Sequence, residues 1–148
     1  IWVPFYSTKR ALAWLNKTEP KSTEDHAFKV FGLHWGDAKL EKQKAAEALI
    51  ELQSPDGGWS QTPDMKSDAY ATGLALSALR QSGALPVTSA EYKSGSKWLI
   101  DHQEADGSWR VKTRSKPIQK YFESSFPHGK DQFISISATC WAVIELSQ

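Results

Sequence analysis

The sequence has little of several features that would indicate a particular class of protein. Among its 148 residues there is one cysteine, Cys140, which excludes an internal disulfide and a cysteine-cluster metal site. Eighteen Lys and Arg residues stand against 17 Asp and Glu, and a net charge of +1 gives no overall field for nucleic acid or an anionic membrane. No apolar run approaches the roughly 20 residues of a membrane span. We therefore expect no nucleic-acid partner and no membrane span.

The length fits one domain with a real hydrophobic core. The first residue is Ile1 rather than Met, and we interpret residues 1–148 as a single domain that is a fragment of a longer chain. On that interpretation, the rest of the parent chain is one expected partner.

A seven-residue pattern occurs twice, as QSPDGGW at 53–59 and as QEADGSW at 103–109. Repetition at this period is typical of stacked supersecondary units. We predict that Asp-Gly forms a tight turn in which Gly takes a positive φ. We also predict that Gln satisfies unpaired backbone groups at a helix end, with its amide stacked on the following indole. The residues with this predicted structural role are Gln53, Asp56, Gly57, Trp59, Gln103, Asp106, Gly107 and Trp109.

Hydrophobic periodicity predicts six helices, over residues 9–19, 24–35, 38–53, 68–82, 89–103 and 132–147. Charged and uncharged helices alternate, since no charged residue lies within 69–79 or 132–144. Uncharged helices suit burial on most sides, and their amphipathic partners suit an outer layer with one wet face. The stretch Ile-Ser-Ile-Ser at 134–137 also has the period of a strand, but it runs directly into a helical pattern.

Three helix pairs follow from this pattern, within residues 9–35, 38–83 and 89–148. The stretch 110–131 has two prolines, no sustained helical period and a local charge excess, with six Lys and Arg against two acidic residues. Long loops inside compact domains are often functional. We therefore treat loop 110–131 as a candidate site.

With the preceding helix included, residues 93–109 read KSGSKWLIDHQEADGSW. This resembles the QW motif of terpenoid cyclases such as the squalene-hopene and oxidosqualene cyclases. That motif combines a basic and a small residue, an aromatic–aliphatic pair, Gln four positions later, and Gly-x-Trp. Residues 44–59 match except that Ala48 replaces the aromatic residue. A degenerate third copy consists of Arg10, Ala11, Trp14, Leu15 and Glu19.

The repeats together with loop 110–131 also look like those of bacterial squalene-cyclase-like repeat proteins. The resemblance implies an all-α fold of the α/α-toroid type. Such toroids place inner and outer helices around a central cavity, and protein prenyltransferase β subunits share the fold. Three pairs would form an arc of about three helix hairpins. The open edges of such an arc need covering.

Class II terpenoid cyclases protonate an alkene with the middle Asp of Asp-x-Asp-Asp-Thr. The matching stretch 68–72 reads DAYAT and places Tyr70 where that acid is expected. A phenol is too weak an acid for this step, and the equivalent stretch 135–139 has no carboxylate. The resemblance therefore implies a module that is non-catalytic as it stands and binds a ligand or partner at its concave face. The alternative is a terpenoid-cyclase-type lyase or isomerase whose acid lies elsewhere in a longer chain.

A zinc-dependent prenyltransferase is a further alternative, with less support. In the prenyltransferase pattern Asp-x-Tyr-His-Thr the His binds zinc, and here Ala71 stands in that position. Cys140 has Ala138, rather than Asp, two residues before it. Because a zinc site needs three or four protein ligands, we expect no metal, and no cofactor pattern is present.

Within loop 110–131, the candidate catalytic residues are Glu123, His128 and Asp131, as acid, base and orienting group. The alternative is a capping loop whose charges are solvated and whose two phenylalanines, Phe122 and Phe126, cover the edge of the ring.

Four further residues are candidate ligand contacts. Arg110 and Arg114 have the charge to hold an anion. Tyr70 and Trp141 have rings that suit an apolar or small-molecule ligand on the concave face, although aromatic residues at helical spacing are more often plain core.

Overall fold

The computed structural model describes residues 5–116, 118 and 120–147. Within this part of the chain there are six α-helices and no named strand, which confirms the all-helical prediction. The helices are α1 (Phe5–Lys17), α2 (Thr23–Trp35), α3 (Lys39–Ile50), α4 (Ala69–Gln81), α5 (Ala90–Asp101) and α6 (Gln132–Leu146). A 3-10 turn at Gly129–Asp131 leads into α6. Six helices in this order are compatible with an arc of an α/α toroid.

Three helices begin at a side-chain cap. Ser22, Asp68 and Ser89 precede α2, α4 and α5, and each accepts a hydrogen bond from the backbone N–H three residues further on. Such a bond satisfies one of the unpaired donors of a helix start. The helices α3 and α5 end at Ile50 and Asp101, two to three residues earlier than predicted. The chain after them is already turning, because the glutamines that we assigned to the helices belong to the following turns.

The helices pack as two rows. α4 lies between α2 and α6, α3 packs on α2 and α4, and α5 packs on α4 and α6, while α1 packs on α2. Every residue of α4 from Ala71 to Leu79 is buried, as an uncharged helix predicts. The uncharged helix α6 differs, since Phe133 and Val143 are 55% and 51% exposed. No helix that the structure describes packs on that side of α6.

The contact between α4 and α6 combines a close backbone approach with a buried ion pair. A Cβ on Gly73 would lie 2.8 Å from the Cβ of Trp141 and 3.0 Å from the nitrogen of Ala142, so only glycine fits there. One turn further on, Glu145 is 2% exposed. Its carboxylate accepts hydrogen bonds from Ser77, at 2.8 Å, and from Arg80, at 3.1 Å. The two helices are therefore held in one register.

The stretch 134–137 is helical, which resolves the strand-like pattern in favour of the helix. The described residues between 110 and 128 form no helix or strand. None of the helices that the structure describes is both long and apolar enough to cross a membrane.

Candidate ligand-binding face and its rim

Residues 53–59 and 103–109 form two turns of the same geometry, which we call the first and second Gln–Trp turns. In each, the Gln Nε2 donates to the carbonyl of the Gly four residues on, at 2.8 Å and 2.9 Å respectively. The Asp Oδ1 accepts from the backbone N–H two residues on, at 3.0 Å in both. The φ angles of Gly57 and Gly107 are +91° and +85°, positive as the Asp-Gly sequence predicts.

The two indoles fasten these turns to the preceding helices. Trp59 Nε1 donates to the carbonyl of Leu49 at 2.9 Å, and Trp109 Nε1 donates to that of Leu99 at 2.8 Å. Both indoles are buried, with 0% and 2% exposure. We expected Gln to satisfy the helix end, but the indole does so, and the Gln amide closes the turn instead.

Each turn is also fastened to the helix that follows it. The backbone N–H of Trp59 donates to Thr72 Oγ1 of α4 at 2.9 Å, and that of Trp109 donates to Thr139 Oγ1 of α6 at 3.1 Å. These bonds make Thr72 and Thr139 structurally equivalent, an offset of 67 residues.

A polar network lies where α2 and α4 begin. Asp68 caps α4, accepting from Ala71 N–H at 2.9 Å and from Gln61 Nε2 at 2.7 Å. The other amide atom of Gln61, Oε1, accepts from Arg114 Nε at 3.0 Å. Thr23 Oγ1 of α2 donates to the carbonyl of Ser60 at 2.6 Å. Burial raises the pKa of Asp68 above its usual range.

Arg114 therefore has a protein partner, the amide of Gln61, and through it reaches Asp68. Both oxygens of Asp68 are occupied as acceptors. The Asp68 carboxyl group therefore caps the helix, because both of its oxygens are engaged within the protein. Gln61 was missed by the sequence analysis, since a single amide outside any repeated pattern gives no signal.

Tyr70, at the position of the cyclase acid, is half-buried and donates from its hydroxyl to Glu24 Oε1 of α2 at 3.1 Å. Burial and the Glu24 carboxylate raise the pKa of Tyr70 to about 12. The phenol stays protonated at any ordinary pH and acts only as a hydrogen-bond donor. This pairing links α2 to α4 at the same end as the Asp68 network.

In the loop, Arg110 is paired with Asp131. Arg110 Nη2 lies 3.1 Å from Asp131 Oδ2, and the Thr113 N–H donates to Asp131 Oδ1 at 2.9 Å. The Thr113 N–H bond and the Arg110 guanidinium hold the pKa of Asp131 below its usual range. Asp131 is buried, whereas the Arg110 side chain is 60% exposed. The pair fixes the base of the loop to the start of α6.

The side chains of the three candidate catalytic residues do not bond to one another within the described part of the chain, and the one link between these residues there is the Asp131 backbone N–H, which donates to the His128 carbonyl at 3.0 Å. His128 Nε2 is 2.7 Å from Ser108 Oγ, in the second Gln–Trp turn. Glu123 accepts from the Tyr121 hydroxyl and from the Ser125 N–H, and the Tyr121 hydroxyl holds the pKa of Glu123 below its usual range. Each side chain is thus engaged with a separate local partner rather than with the other two.

Gln132, the first residue of α6, binds the loop and was not foreseen from the sequence. Its side chain is fully buried, accepts from Ser124 N–H at 2.6 Å and donates to the carbonyl of Phe122 at 2.8 Å. Phe122 itself is 69% exposed, so it does not seal an apolar edge in this structure.

Three aromatic side chains form a row that crosses α4, and we call Phe31, Trp35 and Trp141 the aromatic row. Phe31 of α2 stacks on Trp35, with ring centroids 5.1 Å apart, and on Trp141 of α6, at 6.5 Å. Trp35 is 72% exposed, and Trp141 is half-buried. Trp35 was missed as a candidate, although its position four residues after Phe31 places both on one helix face.

Within the described residues, no group of three or more His, Cys, Asp and Glu side chains is arranged to hold a metal ion. Tyr70, Arg110 and Arg114 are each bonded within the protein, and only Trp141 among the four candidate contacts lies in an exposed apolar group.

No protein-family model matches the chain. Its sequence is similar to a lanosterol synthase of Aspergillus fumigatus, with 28% identity over 109 residues, covering 74% of this chain and 14% of that protein. It is also similar to an ent-copalyl diphosphate synthase of Streptomyces sp., with 33% identity over 97 residues, covering 63% of this chain and 19% of that protein. The chain thus spans less than a fifth of each relative. Both matches support a terpenoid cyclase-like chain.

Proposed function

We propose that this chain is a squalene-cyclase-like repeat module that binds an apolar, terpenoid-like ligand at the aromatic row without converting it. The two Gln–Trp turns serve as the fastenings between successive hairpins, in the manner of QW repeats. The loop 110–131 shapes the rim of the binding face.

The observation that carries the absence of catalysis is the state of Tyr70. It stands where class II cyclases carry their acid, its pKa is raised to about 12, and its proton is committed to Glu24. Protonating an alkene needs a far stronger acid, held protonated in a dry site. Asp68, the one carboxylate of the motif, is occupied by the helix cap.

The aromatic row supports ligand binding. Trp35 is exposed over most of its surface, and Phe31 and Trp141 continue the same stack. Phe31 stacks on both tryptophans and is itself only 3% exposed, so the accessible part of the row consists of the Trp35 ring and part of the Trp141 ring. Exposed apolar groups are a common feature of binding sites. The names of the two relatives, lanosterol synthase and ent-copalyl diphosphate synthase, favour a ligand of terpenoid chemistry.

The same row supports an arc. Side chains of α2 and α6 meet although α4 separates the two helices, which supports a row α2–α4–α6 that bends toward the side of Phe31 and Trp141. That side is the concave face of the proposed toroid arc.

Titration with farnesol tests the proposal. Isothermal calorimetry should detect binding to the wild-type protein, with farnesol recovered unchanged. Trp35→Ala should weaken binding about tenfold, which corresponds to about 1.4 kcal/mol. Leu40→Ala serves as the control, because Leu40 is comparably exposed, at 65%, but lies on α3. Equal affinity for the Trp35 variant and the control would refute binding at the aromatic row.

The second candidate is part of a terpenoid cyclase whose acid lies in another segment of a longer chain, which the names of the two relatives favour. On this alternative, incubation of a longer protein that contains this chain with an isoprenoid substrate should yield a cyclised product. The chain by itself should yield none.

A further inference from the structure

The first Gln–Trp turn is covered by a neighbouring helix. Gln53 Nε2 donates to the carbonyl of Glu91 and to Ser94 Oγ of α5, both at 2.9 Å. Trp98 Nε1 of α5 donates to Asp56 Oδ2 at 3.2 Å. A Cβ on Gly57 would lie 3.0 Å from the carbonyl oxygen of Ser94, so the α5 backbone packs directly on this glycine.

The second Gln–Trp turn makes the same internal bonds but has no such neighbour. Gln103, Asp106 and Gly107 are all exposed, whereas Gly57 is buried. Within the described part of the chain, the nearest atom to a Cβ on Gly107 is the Gln103 amide nitrogen, at 3.9 Å. The groups that contact α5 in the first turn therefore have equivalents in the second turn that are exposed and contact no helix in the described part of the chain.

The adjacent face of α6 repeats this contrast. The offset of 67 between Thr72 and Thr139 aligns Gly73, Leu76 and Ser77 of α4 with Cys140, Val143 and Ile144 of α6. Gly73 and Ser77 are buried against α6, and Leu76, which is 0% exposed, lies against Gly95 of α5. The three α6 residues are exposed, Val143 at 51%. We call this surface, with the second Gln–Trp turn, the α5–α6 edge.

At the opposite end of the molecule, Trp14 and Phe28 are equivalent to the side chains that cover the first Gln–Trp turn and Gly73. We call the surface with these two residues the α1–α2 edge. Trp14 stands five residues before Glu19, as Trp98 stands five residues before Gln103, and it is 64% exposed. The caps Ser22 and Asp68 align Phe28 of α2 with Leu74 of α4, and the 67-residue offset aligns Leu74 with Trp141. Phe28 is 49% exposed.

Trp14 and Phe28 line one groove of about 350 Å³. Trp98 and Trp141 are the residues that cover the first Gln–Trp turn and Gly73 inside this molecule. The α1–α2 edge thus carries an indole, Trp14, and a phenyl ring, Phe28, at the positions of the two aromatic side chains that cover the first Gln–Trp turn and Gly73.

The charges of α1 and of the second Gln–Trp turn are complementary. α1 contains Arg10 and Lys17 and no acidic residue. The second Gln–Trp turn carries the exposed carboxylates of Glu104 and Asp106. Arg10 occupies the position of Ser94, the residue that lies on the glycine of the first turn, so it would face these carboxylates.

We propose that the α5–α6 edge binds the α1–α2 edge of a second copy of this chain, head to tail. Trp14 of one copy would donate to Asp106 of the other, and Phe28 would cover Cys140. The contact is heterologous, so a ring forms where the rotation closes. The α1–α2 edge adjoins the aromatic row, since the Phe28 and Phe31 ring centroids lie 6.2 Å apart. The inference goes beyond the proposed ligand binding, because it concerns association of two copies through other residues.

Light scattering on the purified 148-residue protein tests the proposal. The measured mass should be a multiple of the 16.5 kDa monomer. Val143→Glu should give a monomer, since it places a charge in the apolar contact. Val87→Glu, at an equally exposed valine (53%) in the loop between α4 and α5, should leave the assembly intact. Circular dichroism checks that both variants are folded.

A charge exchange gives an independent arm. Arg10→Glu and Glu104→Arg should each weaken association about tenfold. The double variant should restore it, because the two charges are exchanged across the interface. Additive weakening in the double variant would overturn the proposed pairing.

The single cysteine separates this assembly from other occupants of the edge. Head-to-tail contact protects Cys140 from a thiol reagent and keeps two Cys140 residues apart. Efficient Cys140–Cys140 cross-linking would show a symmetric α6–α6 contact and overturn the proposal. A wild-type protein that stays monomeric at high concentration would do so as well, and would leave the edge to a different partner, such as a further hairpin of a longer chain.

Discussion

At the scale of single residues, a few side chains form hydrogen bonds with backbone groups at the ends of helices. The buried indoles Trp59 and Trp109 each satisfy a helix-end carbonyl, and Asp68 satisfies a helix-start N–H. These roles are structural, and each makes a prediction about stability.

Replacing Trp59 by Phe keeps most of the buried ring and removes the indole N–H that bonds to Leu49. We expect the free energy of unfolding to fall by about 0.5–1.5 kcal/mol, the net contribution of one hydrogen bond, because the Leu49 carbonyl keeps a longer bond from the Leu52 N–H at 3.3 Å. Urea denaturation measures it. Trp35→Phe is the control, with an expected change of less than about 0.5 kcal/mol, because Trp35 is largely exposed. A Trp59 variant as stable as the control would contradict the assigned bond.

The pH dependence of stability should differ in sign at two aspartates. Burial raises the pKa of Asp68 in the folded protein, so the folded state holds this proton more firmly than the unfolded state. Its contribution to stability is therefore present at low pH and is lost as pH rises through the folded pKa. The Thr113 N–H and Arg110 lower the pKa of Asp131, so its contribution is lost as pH falls.

Denaturation of Asp68→Asn and Asp131→Asn between pH 3 and pH 6 checks this pair. The stability of the wild type relative to Asp68→Asn should decrease as pH rises, whereas that relative to Asp131→Asn should increase. If both stability differences changed with pH in the same direction, one of the two pKa shifts would have the wrong sign.

The repeated residues could be found from sequence because four residue types recur at a fixed offset. Their bonding partners could not, since these depend on where α3 and α5 end. Glu24 and Gln61 could not be found either, because each is a single polar residue whose role arises only from the packing of α2 against α4.

At the scale of helices, the packing of α4 against α6 depends on Gly73 and on the ion pair between Arg80 and Glu145. Both features lie on the face of α4 that points toward α6.

Two helical glycines, Gly73 and Gly32, provide a test substitution and its control. Gly73→Ala should lower the free energy of unfolding by about 1–3 kcal/mol, because the new methyl group meets the Cβ of Trp141 and backbone atoms of α6. At Gly32 the methyl group meets only the end of the flexible Leu15 side chain. The higher helix preference of Ala, up to about 1 kcal/mol, should offset that contact. Thermal or urea denaturation compares them, and equal losses would contradict the close approach at Gly73.

The ion pair between Arg80 and Glu145 should behave as a coupled pair. Arg80→Met leaves the fully buried Glu145 carboxylate without its cation and should cost about 3–5 kcal/mol. The double variant Arg80→Met, Glu145→Gln should be more stable than this single variant. If the double variant were as unstable as the sum of both single changes, the two side chains would not be coupled.

Helix positions followed well from hydrophobic periodicity, which reports which face of a helix is apolar. The exposure of α6 did not follow, because an uncharged helix has the same pattern whether a neighbour covers it or not. The partner of a face is a property of the assembly rather than of the helix itself.

At the scale of the whole molecule, the helices form two rows, with an aromatic row on one side and two open edges at the ends. The resemblance to terpenoid cyclases predicted an all-helical chain, and the two matched relatives support it. The aromatic row could be foreseen only in part. Trp141 belonged to an aromatic pattern, but its contact with Phe31 depends on how α2 and α6 pack on α4.

The most direct test of the central claim is an indole N–H nuclear magnetic resonance spectrum recorded during farnesol titration. The signals of Trp35 and Trp141 should shift as the ligand binds, while those of Trp59 and Trp109, whose indole N–H groups are bonded to Leu49 and Leu99, should stay in place. Shifts confined to other tryptophans, or conversion of farnesol during the titration, would contradict the account.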